Sequence, residues 1–263
     1  MPVRKCQPVA KVTVKAGPHT RRECPLLVPL DPKLVKARTQ AELGRFAICE
    51  HTREEECCQA WSEVFLDKEG GPMLAMIVDY LPAGGERAYH LCRRAKGREA
   101  CCGVEVVNDA GKKVAEVRVL GSCFTRYDYG RQHARPHLYP VMGPYGASVT
   151  WCGPPDHVHH RSLWIAHGEV NGHDNWSEHK GHAKTVNEKI VVAGGAAAGF
   201  IRAHNSWRSA AGKKLLAEEV EFVFYGTAYD QRIIDVNLAL TATEQDVLFG
   251  DTKEGGTLSV RVA

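Results

Sequence analysis

The chain has 263 residues, 44% hydrophobic and 25% charged, with a formal net charge of +3, the profile of a globular protein built as one large β domain or two smaller units. No dense Lys/Arg stripe interleaved with aromatics argues for nucleic acid, and no apolar run nears the ~20 residues needed to cross a bilayer. No apolar segment follows Met1 as a secretory signal, so a cytoplasmic location is expected, with the periplasm as the alternative if the N-terminus is incomplete.

The first hundred residues read as a small β unit. Val12–Lys15 alternates and stops at Gly17-Pro18. Cys24–Leu30 is apolar with prolines near both ends, which suits an edge strand. Lys33–Ala47 is expected to form a short helix. Met73–Tyr80 reads as a buried strand, and Pro82–Gly85 as the turn before a strand over Glu86–Leu91. The charged segment Arg93–Glu99 is the linker candidate. Beyond it, Val104–Val107, Asn108–Gly111 and Lys113–Leu120 read as a hairpin. Ile190–Val192, Val220–Tyr225, Arg232–Leu240 and Leu258–Val262 alternate or run apolar at strand length. Few segments have helical period, so the expected fold is all-β: an antiparallel β-sandwich, of mutarotase-like form, over 103–263, with the N-terminal unit over 1–95.

Ten cysteines occur without a C-x-x-C spacing, including the adjacent pairs Cys57-Cys58 and Cys101-Cys102. Neighbouring cysteines bridge each other only under strain, and reduced thiols are the expectation for a chain without a signal peptide. Cys152 lies close to the histidine-rich stretch as a thiolate ligand, a nucleophile or, more simply, a small buried hydrophobe.

Lys189–Phe200 resembles a strand entering a dinucleotide loop, with Gly194, Ala196 and Gly199 at the three fingerprint positions. Ala196 places a methyl group where the backbone must approach a pyrophosphate. The segment therefore reads as a hairpin turn.

The segment Pro155-Asp156-His157-Val158-His159-His160-Arg161-Ser162-Leu163-Trp164 carries the most chemistry. Nine of the thirteen histidines and three of the five tryptophans, Trp151, Trp164 and Trp176, fall between residues 133 and 182. If the segment is extended, His157, His159 and Arg161 share one face and Asp156, Val158 and His160 the other. Buried imidazole without a partner costs stability, whereas proton transfer near neutral pH and metal binding both use it.

From Arg135 onward the chain resembles a known family. Arg135–Thr150 is similar to its entry strand and turn, Pro155–Trp164 and Gly168–Trp176 to its signature, and Phe249–Gly256 to a later motif; Val12–His19 and Leu81–Tyr89 are similar less specifically. The family is the PmoA-like group, also labelled "methane oxygenase PmoA", a domain of unknown function. The resemblance implies a β-rich protein associated with sugar-oxidising enzymes. Trp151-Cys152 stands where an Arg-containing pair is usual, and Asn175 where an aromatic is usual. The family domain also runs longer, so a C-terminal truncation is expected to remove strands and part of a site.

Three functions follow as expectations. The first is an enzyme acting on a sugar or polyol by elimination, epimerisation or hydrolysis. Here His157, His159, His160 and Arg161 are the catalytic residues, Asp251, Lys253 and Glu254 a second ionisable cluster, and Trp164, Asn171, Asp174 and Trp176 the substrate contacts. A divalent metal on His157 and His159 is the cofactor expectation. The second is a non-catalytic carbohydrate-binding module using the same residues. The third is the metal-dependent oxygenase of the family label. The expected partner is a small-molecule or carbohydrate ligand, with no nucleic acid and no membrane; oligomeric state is not legible.

Overall fold

The structure, a computed structural model, describes residues 7–37, 39–53, 56–59, 61–93, 103–227, 230–253 and 256–263. It is almost entirely β, in antiparallel sheets, and no helix among the described residues is long and apolar enough to cross a membrane. Contacts divide it into two compact units: Met1–Val104 with Gly194–Ala198 and Tyr225–Ala228, and the remainder.

The first unit holds β1 (Gln7–Lys15), β2 (Arg21–Pro29), α1 (Gln40–Leu43), β3 (Phe46–Arg53), β4 (Glu56–Gln59), β5 (Ser62–Leu66), β6 (Pro72–Leu81) and β7 (Glu86–Arg93). They form sheets of order β1-β7-β3-β4 and β2-β6-β5. Cys24–Leu30 is indeed an edge strand, and Met73–Tyr80 the buried central one. The two sheets share an apolar core that includes Ile48, Leu74, Met76, Tyr89 and Leu91. The helix expected over Lys33–Ala47 shrinks to the single turn of α1, because Thr39 caps it through its hydroxyl and Phe46 already enters β3. Cys24, Cys92, Cys123 and Cys152 are free thiols, as expected, but Cys49 is disulfide-bonded, which corrects the expectation there. Pairing depends on which cysteines the fold brings within reach, and spacing alone does not show that. The linker candidate Arg93–Glu99 lies, apart from Arg93, outside the described residues.

The Gly194–Gly199 turn belongs mostly to this first unit. The Glu63 carboxylate on β5 sits in the turn and accepts hydrogen bonds from the amides of Ala196 and Ala198, both at 2.8 Å. A Cβ on Gly195 would lie 1.4 Å from Glu63 Oε2, so only glycine allows the approach. The segment resembling a dinucleotide loop does cradle an acidic group, and that group is the protein's own. Burial pushes the Glu63 carboxyl up to about 7, against the three backbone amides that favour its charge.

The second unit holds β8 (Val104–Asp109), β9 (Val114–Val119), β10 (Ser122–Asp128), β11 (His137–Val141), β12 (Leu163–Ile165), β13 (Glu169–Val170), β14 (His173–Asp174), β15 (Lys184–Ala193), β16 (Ala198–Arg208), β17 (Lys214–Tyr225), β18 (Ile234–Thr241) and β19 (Leu258–Val260). A six-stranded sheet of order β19-β12-β11-β10-β9-β8 faces a four-stranded sheet of order β15-β16-β17-β18. The facing is direct: Phe124 and Tyr127 of β10 meet Phe224 and Phe222 of β17 at ring separations of 6.0 and 5.6 Å. This is the sandwich that the strand pattern implies. Its interior carries one fully buried carboxylate, Glu218, which accepts hydrogen bonds from Asn205 and Trp207, both at 2.6 Å.

Candidate functional site

The Pro155–Trp164 segment lies in the second unit, and only its last two residues, Leu163 and Trp164, are in a strand, β12. Pro154 and Pro155 withhold two backbone donors and fix two φ angles. The chain then makes two successive turns, in which His157 N donates to Pro154 O and His160 N to His157 O, both at 3.0 Å. The neck is closed by Gly153 N on His160 O and by the bridge between Cys152 and Arg161. Ser162, at φ 73°, redirects the chain into β12 and donates to the Thr150 hydroxyl at 2.7 Å. The alternating faces expected of an extended segment are therefore corrected: the turns gather the rings on one side. His157 stacks on His160 at 4.6 Å and His160 stacks on Trp164 at 5.3 Å. His159 lies edge-on to His160 at 4.8 Å and to Trp176 at 6.4 Å, and the two indoles touch at 5.4 Å.

Asp156 does not point away from His157. Its Oδ2 lies 2.8 Å from His157 Nδ1 and 2.7 Å from Arg261 Nη2. Those bonds, the His157 contact foremost and then Arg261, hold its carboxyl down to about 2. With Nδ1 engaged by a carboxylate, the proton sits there and Nε2 is left as the basic nitrogen. Burial, then the neighbouring His159, His157 and Arg261, pushes His160 down to about 4. His159 is lowered in the same direction by burial and by His157. Both rings are neutral at physiological pH. His160 Nδ1, Trp164 Nε1 and both amide atoms of Asn175 are buried without a hydrogen-bond partner among the described residues.

Beneath the rings runs an ion-paired floor. Arg135, 1% exposed, donates to Glu178, to the carbonyls of Asn175 and Trp176 at 3.1 and 3.0 Å, and to that of His159 at 3.5 Å. Arg161 makes a two-pronged contact with the same Glu178 carboxylate. Burial works to raise Glu178, but Arg161 and Arg135 outweigh it and hold the group ionised. On the other flank, His137 Nδ1 lies 3.3 Å from Arg135 O and its Nε2 3.8 Å from Cys152 Sγ.

The predicted residues separate into three groups. His157, His159, His160, Trp164 and Trp176 come together. The indoles, however, are 3% and 9% exposed, so the surface a ligand meets is imidazole, not indole. Arg161 is adjacent but engaged with Glu178. Asn171 and Asp174 are used by the backbone. Asn171 and Gly172, at φ 51° and 78°, form the tight turn between β13 and β14; the Asn171 amide holds Asp246 O and Leu248 N at 3.1 and 2.7 Å. Asp174 caps the turn that follows it, accepting from the amides of Trp176 and Ser177 and from the Ser177 hydroxyl. Neither is free for a substrate as expected.

Asp251 and Lys253 flank Thr252. β19 runs antiparallel to β12, pairing Leu163 with Val260 and Ile165 with Leu258, and Ala166 N donates to Thr257 O. Residue 252 therefore sits against Gly168, where a Cβ would meet the Thr252 hydroxyl at 2.2 Å. Gly168 O in turn accepts from Asn175 N at 3.2 Å. The pairing of β19 with β12 delivers Arg261 to the histidine turn. Glu254 lies outside the described residues. Among the described residues no group of three or more His, Cys, Asp or Glu side chains is arranged to hold a metal ion; His157 and His159 form a pair, with Asp156 occupied by His157 and Arg261.

Sequence reasoning passed over Arg135, Glu178 and Arg261. Arg135 carried one signal, a charge directly before Pro136-His137 at the start of a strand. Glu178 and Arg261 carried none, because their roles arise from pairings 43 and 105 residues distant.

Comparison with characterised proteins and with solved structures finds no match. A family model does match, over residues 115–263, and its description is "Family of unknown function (DUF6807)". The PmoA-like assignment is thereby corrected: the match carries no PmoA identity, and the motifs quoted from Arg135 onward, several of which close turns and cap loops, lie in the matched region. More than half of the chain lies within that match, and the protein belongs to the DUF6807 family of unknown function.

Proposed function

We propose that the histidine turn is an acid–base site for a sugar or polyol. One observation carries the reading: Asp156 holds Nδ1 of His157, and that ring stacks on neutral His160 above Trp164. A carboxylate-oriented imidazole is a general base with its tautomer set, and a second imidazole in contact can take or return the proton. Removing a proton from a carbon beside a carbonyl, as epimerisation and elimination require, needs this pair. Hydroxyl groups both donate and accept, and so suit a surface of imidazole nitrogens.

The test is carbon-bound hydrogen exchange and product formation, followed by NMR in deuterated water, across a panel of aldoses, ketoses, uronates and polyols. The expected result is exchange with at least one compound, lost in His157→Ala while the melt is unchanged. Saturable sugar binding that survives chelation, without exchange over hours, would leave a binding module. No binding and no exchange across the panel would refute the reading.

A further inference from the structure

A second feature of this unit lies on the other side of the 129–135 segment and does not depend on the histidine turn. A groove of about 440 Å³ is lined by Tyr129, Arg131, His133, Lys184, Thr185 and Arg208, with Asn187 and Glu188 completing it. Its volume is that of a small-ligand pocket. A neighbouring groove of about 390 Å³ shares Lys184, Val186 and Arg208 and adds His182.

The charges do not balance. Three permanent cations, Arg131, Lys184 and Arg208, surround one carboxylate, Glu188. Glu188 is committed to Arg208 at 2.8 Å and to the Ser206 hydroxyl at 2.6 Å. His133 is taken by Asp128 at 3.0 Å. Arg131 also acts on Glu188 from a distance, and Lys184 has no ion-pair partner among the described residues. Lys184 and Arg208 are also directly opposite each other across β15 and β16, and like charges so placed destabilise a sheet unless an anion lies between them. Arg208 is nevertheless held rigidly, by Ser206 Oγ at 2.8 Å and Gly212 O at 3.3 Å besides Glu188.

We propose that this groove binds the anionic group of a small polar molecule, a carboxylate or a phosphate, with Lys184 and Arg131 supplying charge and Arg208 a fixed guanidinium. Two sources share that chemistry, an acidic sugar and a phosphorylated metabolite. Calorimetric titration separates them: sodium glucuronate represents the first, inorganic phosphate the second, and glucose is the uncharged control, all at matched ionic strength. The expected result is saturable binding of at least one anion and none of glucose. Glucuronate alone assigns the acidic sugar, phosphate alone the phosphorylated compound, and both the shared anion chemistry. Lys184→Glu and Arg131→Glu are each expected to weaken binding roughly tenfold or more, as loss of a charge-assisted contact does. Because Lys184 is exposed and opposes Arg208, Lys184→Glu is expected to melt at or above the parent temperature, which separates lost binding from lost folding. Absence of saturable binding by either anion, or affinity unchanged in both variants, would overturn the proposal.

Discussion

The Gly194–Gly199 turn and the Pro154–Arg161 turn both invite a ligand on sequence grounds, and they end in opposite conditions. In the first, Glu63 fills the cradle and bonds the Ala196 and Ala198 amides. In the second, Arg135 and Arg161 both pair with Glu178, yet Arg135, His160, Trp164 and Asn175 keep buried polar atoms without partners. Polar density alone does not mark a site. What distinguishes the two is whether the protein satisfies its own donors, since a satisfied network rigidifies and an unsatisfied group favours whatever can bond it.

The strongest way to break the comparison is at the floor of the histidine turn. Arg135→Ala leaves the carbonyls of Asn175, Trp176 and His159 without their donor and Glu178 with one guanidinium instead of two. A loss of about 3–5 kcal/mol is expected by chemical denaturation, with the ring cluster disordered in consequence.

Next in size is pH. Folded Glu63 keeps its proton up to about 7, whereas the unfolded chain releases it near 4.5. Between these values the folded state binds more protons, so the contribution is fully present below 4.5 and is lost as pH rises through 7. The interval corresponds to about 3 kcal/mol at ~1.4 kcal/mol per pH unit. His137 runs the other way. Burial foremost lowers it to about 4 from 6.5, so its contribution is present above 6.5 and is lost as pH falls through 4. Between about 4.5 and 6.5 the two contributions oppose each other and nearly cancel, so Glu63→Gln should uncover a rise in stability as pH goes from 4 to 6.5.

A smaller effect is expected from Gly195→Ala, whose added methyl displaces the Glu63 carboxylate. It should cost about 2 kcal/mol in a thermal or denaturant melt. The smallest is His157→Ala, a half-exposed ring whose removal should change stability by no more than about 0.5 kcal/mol. A large loss there would mean that the ring stack is structural and would collapse the distinction between the two turns.

Much of this molecule is legible from residues in order. Alternation announced β18, whose side chains go half-buried and exposed in strict turn, because a strand puts successive residues on opposite faces. The run at Met73–Tyr80 announced a buried strand. Asn171-Gly172 is also a plain hairpin signal, although its asparagine is easily mistaken for a substrate contact. The clustering of His157, His159 and His160 with Trp164 and Trp176 was visible as local density. Their arrangement was not, since two prolines and a pair of turns replaced the strand that alternation suggests.

What sequence by itself determined is the β character of the chain, the order of most strands, and the concentration of imidazole and indole between residues 133 and 182. These are properties of neighbours along the backbone. Tertiary structure alone decided which charges meet: Glu63 with the amides of 196 and 198, Arg135 and Arg161 with Glu178, Arg261 with Asp156, Lys184 opposite Arg208. Each pairing depends on strand register, and register emerges only when faces are buried against each other.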